Sequence, residues 1–155
     1  MVPRAERLIE TTQTISSALR PGVLDDLGLV AAIEWLAADF EKRTGLTCVA
    51  TLPASDIAME LARAVALFRI VQEALTNVIR HAKASRVELR LRATGGELVL
   101  EVEDNGHGIA PQQAADPKSL GLLSMRERAA AFGGTVEIRS EAGRGTTLCV
   151  CMPQA

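Results

Sequence analysis

Residues 97–109 read ELVLEVEDNGHGI, a stretch in which a strand pattern ends abruptly at an acid. Apolar residues first recur at every second position, as they do in a strand with one buried face. Asp104 ends the alternation, and Gly106 and Gly108 follow it in a pattern typical of a tight turn. The stretch therefore predicts a sheet that carries a carboxylate at the end of one strand.

Helical and strand patterns surround this stretch on both sides. Helical spacing of apolar residues occurs at residues 4–19, 25–44, 60–84 and 122–132. Strand patterns occur at residues 46–52, 86–93, 97–104, 135–140 and 146–152. This order predicts an α+β fold, a two-layer sandwich with helices packed on one face of a mixed β-sheet.

Local signals predict how several of these elements begin and pack. Asp25 or Asp26 is expected to cap the start of the second helix, and residues 53–56 to form a turn that caps the third. Cys149 and Cys151 alternate along the last strand, so we expect both to be core residues on one face.

The composition excludes several classes of function. The 155 residues are 48% hydrophobic, which suits one globular domain, and the net charge of −2 argues against nucleic acid as a partner. The three cysteines lack a CxxC spacing, so they suggest neither disulfides nor zinc and favour a reducing, cytoplasmic setting. Because no signal peptide or long uncharged apolar stretch is recognisable, we expect a soluble polypeptide.

Asp104 is compatible with an ordinary turn, in which it and Asn105 cap the strand end and the glycines supply positive φ. Three ligand-binding interpretations fail. A dinucleotide-binding turn would need glycine where Pro111 stands, and a calcium loop would need a carboxylate where Ala115 stands. A Walker-type phosphate loop would need a Gly-Lys pair, and the sequence has none.

A polar stripe runs along the otherwise apolar helix pattern of residues 60–84. Its members, at spacings of four, four and three, are Arg69, Glu73, Asn77 and Arg80. A solvated helix face is one explanation. The other is a cation site, because Glu73 and Asn77 lie one turn apart and can direct a carboxylate and a carboxamide oxygen at the same Mg²⁺.

Two glycine segments extend the pattern toward phosphate binding. Gly121 precedes a helix start, where free backbone N–H groups and the helix dipole attract phosphate. It follows residues 110–120, whose two prolines and lack of periodicity predict a mobile loop. Gly143 and Gly145 form a second tight connection, which leads into Thr146.

Four segments resemble, in order, the N, G1 and G2 boxes and the closing GxGT segment of the ATP-binding catalytic domain of two-component sensor histidine kinases. They read FRIVQEALTNVIRHAKAS, VEDNGHGI, SLGLLSMRERAAAFGGTVEIRS and GRGTTLCVCMP. Upstream, LRPGVLDDLGLVAAIEWLAADFEKRTGL resembles the end of the dimerisation region in the nitrate-sensor-like branch. The resemblance covers nearly all of the chain and implies the Bergerat-type ATP-binding fold of the GHKL superfamily, with ATP and Mg²⁺ as ligands.

The resemblance implies a role for four residues at the adenine end of the site. Asp104 would accept a hydrogen bond from the exocyclic amine of adenine, and Thr146 would support that contact. Gly106 and Gly108 would let the backbone approach the nucleotide. The physical chemistry agrees, because a carboxylate accepts hydrogen bonds only and is left unpaired by the wrong base.

At the phosphate end the resemblance implies three further roles. Asn77 would be the magnesium ligand, and Glu73 would be the catalytic residue that polarises or positions the attacking group or a metal-bound water. Gly121 would face the phosphates. No role is assigned to His107, and His81 fits phosphate contact and packing equally well.

The resemblance also predicts domains and partners. Residues 1–22 would be the remnant of the dimerisation and phosphoacceptor region, and residues 23–155 the catalytic domain. The family carries its phosphoacceptor histidine upstream, and no histidine precedes His81. We therefore expect a chain that is monomeric by itself, from a homodimeric parent kinase that acts on a response regulator. A membrane anchor in that parent is compatible with the sequence.

Two alternatives to a histidine kinase remain open at this point. One is a module that binds adenine nucleotides without catalysis. The other is a different GHKL-type ATPase or a serine kinase of the same superfamily.

Overall fold

The computed structural model describes residues 22–112, 116 and 121–155. The helix predicted at residues 4–19 lies outside the described residues, as does most of the loop predicted at residues 110–120. Of the predicted dimerisation remnant, residues 1–22, only Gly22 is described.

The described chain alternates helices and strands in the predicted order. The helices are α1 (Gly22–Thr44), α2 (Leu61–Asn77), which continues into a π-helical turn (Val78–Ala82), and α3 (Leu122–Ala130). The strands are β1 (Thr47–Thr51), β2 (Arg86–Thr94), β3 (Glu97–Asp104), β4 (Thr135–Glu141) and β5 (Gly145–Pro153). The expected hairpin at Gly95 and Gly96 joins β2 to β3, and both glycines have positive φ.

The strands form one mixed sheet in the order β1-β2-β3-β5-β4. β1 pairs with β2 in parallel, and all other pairs are antiparallel. Alternate side chains of β2, β3 and β5 are buried in one core with side chains of α1, α2 and α3. The opposite face carries the ion pairs that Arg90 makes with Glu88 and Glu103, which is typical of a face open to water. The predicted α+β sandwich, with helices on one face, is confirmed.

The start of α1 differs from the prediction. The helix begins at Gly22, so Asp25 and Asp26 lie inside its first turns rather than before them. A kink follows at Gly28, whose φ of 87° and ψ of −178° are not helical. Helical geometry resumes after the kink, and there the N–H of Val30 donates to Asp56 Oδ1 at 3.2 Å.

Asp56 therefore caps α1 and not the helix that follows it in sequence. The prediction that residues 53–56 cap the third helix is wrong, because α2 begins at Leu61 after Glu60, whose side chain makes no capping hydrogen bond. The packing at the kink is tight: a Cβ atom on Gly28 would lie 2.0 Å from Asp56 Oδ2. Glycine is required there for space as well as for its φ.

The placement of Cys149 and Cys151 in the core is also wrong. In β5 the buried apolar side chains are Leu148, Val150 and Met152, while both cysteines are half-buried on the opposite face. Alternation correctly places the two thiols on the same face. It does not determine which face the helices cover.

Arg63 anchors the start of α2, the helix that carries Glu73 and Asn77. Only 9% of Arg63 is exposed, and its Nη1 donates to the carbonyl oxygens of Phe132 and Pro153. The guanidinium also lies 5.1 Å from the centroid of the Phe132 ring, within the range of a cation–π contact. These contacts tie the first turn of α2 to the end of β5 and the connection after α3.

Candidate functional site

A pocket opens between the helical layer and the ends of β3 and β5. It contains about 460 Å³ of space free of atoms, including the part that opens to solvent. Its walls combine apolar side chains with a few polar ones. The lining residues include Asn77, His81, Asp104, Ile109, Met125 and Thr146.

Asp104 is held at the end of β3 with its carboxylate in this pocket. Only 7% of the residue is exposed, and Oδ1 accepts the N–H of Gly106 at 2.8 Å. Burial raises the pKa of the Asp104 carboxyl, while hydrogen bonds from the N–H groups of Gly106 and Thr146 act to lower that pKa. The backbone thus orients a poorly solvated acceptor toward the pocket.

The turn after Asp104 is fixed to the end of the π-helical turn. Asn105 Oδ1 accepts the N–H groups of Ser85 and Arg86, each at 2.9 Å. The N–H of His107 donates to the Ala82 carbonyl oxygen, also at 2.9 Å. The turn considered for Asp104 and Asn105 is therefore present, with positive φ at Gly108 (82°) but not at Gly106, and the same turn positions Asp104 in the pocket.

Gly106 and Gly108 allow this loop to approach other backbone segments. A Cβ atom on Gly106 would lie 2.1 Å from the Ala82 carbonyl oxygen, and one on Gly108 would lie 2.6 Å from that of Glu141. Neither glycine is one of the described residues that line the pocket. The contacts of both glycines are with the protein itself.

Glu73 and Asn77 occupy one side of α2, as the polar stripe predicts. Both are half-buried, and Asn77 lines the pocket. Glu73 packs against Gly121, where a Cβ atom would lie 2.2 Å from Glu73 Oε1. Gly121 has a φ of 62° and directly precedes α3. The structure therefore brings the Glu73 carboxylate against the start of α3, one helical turn from the Asn77 amide that lines the pocket, while neither Glu73 nor Gly121 is among the described lining residues.

The oxygen donors on α2 fit Mg²⁺ better than a transition metal. No cluster of three or more His, Cys, Asp or Glu side chains suited to a metal occurs in the described part of the chain. A carboxamide and a carboxylate one helical turn apart are hard oxygen donors, and Mg²⁺ commonly takes only one or two protein ligands beside water and phosphate. Glu73 and Asn77 thus fit an ion that also contacts the substrate.

The π-helical turn at Val78–Ala82 was not predicted. It widens the end of the helix, and it closes at Lys83, the one described non-glycine residue with positive φ (49°). His81 lines the pocket from this turn. A regular helical pattern in the sequence gives no signal for such a turn, which inserts an extra residue into the hydrogen-bond ladder.

Sequence reasoning also missed the apolar walls and one hydroxyl group. Met125, Ile138 and Leu148 line the pocket beside the polar residues. Alternation shows which side chains of β4 and β5 share a face, but it does not show that the face of Ile138 and Leu148 is the covered one. Ser140, at the end of β4, hydrogen-bonds to Thr146 and Ile109, and no sequence signal distinguishes it from other surface serines.

The fold and the pocket together define a nucleotide-binding domain of the two-layer α+β sandwich class. Residues 62–155 match the family described as histidine kinase-, DNA gyrase B- and HSP90-like ATPases. The chain belongs to this family, and ATP is the nucleotide that such a domain binds.

Curated relatives of this chain are sensor histidine kinases. The sensor histidine kinase MctS of Rhizobium johnstonii is 38% identical over 149 residues, covering 95% of this chain and 32% of MctS. The oxygen sensor histidine kinase NreB of Staphylococcus carnosus is 37% identical over 149 residues, covering 95% of this chain and 42% of NreB. The chain thus spans less than half the length of either relative.

A solved structure supports the same assignment. The Erythrobacter litoralis EL346 blue-light activated histidine kinase matches with a TM-score of 0.70 and 26% identity, covering 81% of this chain and 42% of that chain. Within the described residues, no helix is both long and apolar enough to cross a membrane.

Proposed function

We propose that this chain binds Mg-ATP in the pocket beside Asp104 and presents the γ-phosphate for transfer to a histidine on another protein segment. The observation that carries this proposal is the position of Asp104, a buried carboxylate fixed by two backbone N–H groups in a largely apolar pocket. A carboxylate offers only acceptors, so it pairs with the amine of adenine and opposes the carbonyl of guanine. Thr146, directly opposite Asp104 in the sheet, supports the same contact.

The phosphates would lie at the other end of the pocket, toward Asn77 and the start of α3. Asn77 would contribute its amide oxygen to Mg²⁺, and Gly121 would let the phosphates approach the free N–H groups of α3. When bound, Mg²⁺ supplies charge neutralisation to the phosphate oxygens. Glu73, which lies beside Gly121, would orient the attacking group or a water molecule. Gly106 and Gly108 would keep the adenine-side loop close enough to the pocket for Asp104 to reach the base.

The acceptor histidine would belong to an upstream dimerisation domain, as in the sensor histidine kinases that the chain resembles. We assign residues 1–22 to the end of that region and residues 23–155 to the catalytic domain. The partners of the whole protein would be a second copy of itself and, after transfer, a response regulator. This phosphotransfer would take place in the cytoplasm.

Two measurements test the proposal. In calorimetry, ADP should bind at least about tenfold more tightly than GDP, because guanine places a carbonyl oxygen against Asp104. With γ-labelled ATP, the chain should transfer phosphate in trans to a separate dimeric fragment that carries a phosphoacceptor helix. The same fragment with its histidine replaced by glutamine is the control. Equal affinity for ADP and GDP would remove the adenine site, and transfer that survives in the control would remove the histidine as acceptor.

A further inference from the structure

Ser140, Thr146 and Asp104 form a row across three neighbouring strands. Thr146 of β5 pairs with Asp104 of β3 on one side and with Ser140 of β4 on the other. Directly opposed residues project their side chains from the same face of a sheet, here the face that the helices cover. Thr146 therefore lies between the pocket carboxylate and the Ser140 hydroxyl.

The hydroxyl of Ser140 is in contact with three partners. Its Oγ lies 2.7 Å from the N of Ile109, 3.3 Å from the carbonyl oxygen of Gly145 and 3.1 Å from Thr146 Oγ1. A serine hydroxyl has one hydrogen to donate and two lone pairs to accept with. Three simultaneous contacts use all of them.

Only one assignment of hydrogens satisfies all three contacts. The Ile109 N–H can only donate, so it takes one lone pair of Ser140. The Gly145 carbonyl can only accept, so it takes the Ser140 hydrogen. The remaining lone pair of Ser140 must accept from Thr146, and the Thr146 hydroxyl hydrogen thus points at Ser140 and away from the pocket.

The Thr146 hydroxyl can then offer only lone pairs to a ligand. Asp104, its neighbour in the pocket, is likewise an acceptor when ionised. We propose that Ser140 is a specificity-determining residue, which turns Thr146 into an acceptor so that the pocket selects 6-aminopurine nucleotides against 6-oxopurine nucleotides. This inference rests on the proposed function, since it requires that the 6-substituent of the base contacts both Asp104 and Thr146.

The effect of Ser140 is exerted through Thr146, so Ser140 is a positioning residue. Removing its hydroxyl frees the Thr146 hydrogen, which can rotate toward the pocket and donate to a 6-oxo group. The Ile109 N–H loses its acceptor at the same time, which lowers affinity for every nucleotide. The ratio of two affinities cancels that shared loss and isolates the change at Thr146.

ADP and IDP provide the ratio, because they differ only in the 6-substituent and the adjacent ring nitrogen. Calorimetry with both nucleotides should show a preference of the unmodified chain for ADP. In Ser140→Ala this preference should fall by about five- to tenfold, because the 6-oxo group of IDP can then accept from the Thr146 hydroxyl instead of facing a second acceptor. Ser140→Thr retains a hydroxyl and should keep the original preference.

A double-mutant cycle with Thr146→Val tests the mechanism. Valine has no hydroxyl to orient, so Ser140→Ala should leave the ADP to IDP ratio unchanged in that background. The ¹⁵N resonance of the Ile109 amide should shift in Ser140→Ala and not in Ser140→Thr, which reports the hydrogen bond without nucleotide. If Ser140→Ala does not fold, Ser140→Cys replaces it, since a thiol is a weak acceptor.

The outcomes separate this inference from the function on which it rests. An unchanged ratio in Ser140→Ala, or an equal change in the Thr146→Val background, overturns the role of Ser140 while leaving the adenine site in place. A chain without any preference for ADP over IDP overturns the adenine site itself.

Discussion

Gly145 packs so closely on Asp104 that a Cβ atom at Gly145 would lie 1.9 Å from the Asp104 carbonyl oxygen. Gly145 also has a φ of 98°, a conformation that residues with side chains rarely adopt. This contact lets β5 begin directly beside the end of β3. As a result, Thr146 pairs with Asp104, and the two residues face the same pocket.

Gly145→Ala should therefore destabilise the protein and weaken nucleotide binding together. The added Cβ meets backbone that cannot move without separating β5 from β3, so we expect a loss of about 2–4 kcal/mol in the free energy of unfolding. Gly143→Ala is a matched control, because Gly143 also has positive φ (77°) but open space around its Cβ position. It should cost about 1 kcal/mol, from backbone strain alone. Equal losses in urea denaturation would show that packing against Asp104 is not the reason for glycine at 145.

Asp104→Asn should separate ligand binding from stability. Losing the charged acceptor should weaken ADP binding by about 1.5–3 kcal/mol, or roughly ten- to a hundredfold. Burial raises the pKa of Asp104, so at pH 7 the ionised carboxyl lowers the stability of the folded state relative to the unfolded state. The unliganded variant should be as stable as the unmodified chain or more so. Calorimetry and thermal unfolding on the same samples test both statements, and unchanged ADP affinity in the folded variant would remove the assignment of Asp104.

The raised pKa of Asp104 also predicts how binding depends on pH. When folding raises the pKa of a carboxyl, the protonated carboxyl contributes stability to the fold at pH values below the unfolded-state pKa. This contribution is lost as the pH rises through the folded-state pKa. Ligand binding has the opposite dependence, because adenine needs the ionised acceptor. Affinity for ADP should decline as the pH falls from 7, at pH values where an ordinary aspartate with a pKa of 3.8 would still be ionised. ADP itself titrates, so Asp104→Asn is measured in parallel. The difference between the two proteins should shrink at low pH, and a constant difference would contradict the prediction.

Asn77→Ala should weaken nucleotide binding chiefly when magnesium is present. The amide oxygen would act through the ion, so we expect about a tenfold loss of ADP affinity with Mg²⁺ and little loss with EDTA. Thr76→Ala is a suitable control on the same helix turn, because the Thr76 hydroxyl hydrogen-bonds to the Gln72 carbonyl oxygen. Calorimetry under both conditions makes the comparison within each variant. Equal losses with Mg²⁺ and with EDTA would mean that Asn77 does not act through the metal.

The sequence predicted the elements well, and also the positions of Glu73, Asn77 and Asp104 within them, because both depend on residues close together along the chain. Strand alternation at residues 97–104 and the helical stripe with Glu73 and Asn77 follow directly from the periods of the two structures. The capping of α1 by Asp56 could not be predicted, since Val30 and Asp56 are 26 positions apart and no local pattern connects them.

Contacts made across the sheet were also beyond sequence reasoning. Alternation placed Cys149 and Cys151 on one face, but the covered face is determined by where the helices pack. Ser140 gains its importance only from the pairing of β4 with β5, which sets it opposite Thr146. The alternation of apolar and polar residues does not reveal which residues of neighbouring strands are paired. It therefore does not identify residues whose function depends on strand register.

The two histidines of this chain should not become phosphorylated when it is incubated alone with Mg-ATP. Phosphoryl transfer needs an acceptor imidazole in line with the γ-phosphate, and such positioning supplies most of the rate enhancement. His81 lies in the π-helical turn at the wall of the pocket, and the Nδ1 of His107 lies 2.8 Å from the carbonyl oxygen of Gly108. Both are part of the nucleotide domain and move with it. We therefore expect no acid-labile label from γ-labelled ATP on the 155-residue chain, while the same sample binds ADP in calorimetry. The variant with His81→Gln and His107→Gln sets the background. Acid-labile labelling above that background would show that a histidine within the nucleotide domain can reach the phosphate, and it would remove the need for an acceptor on another segment.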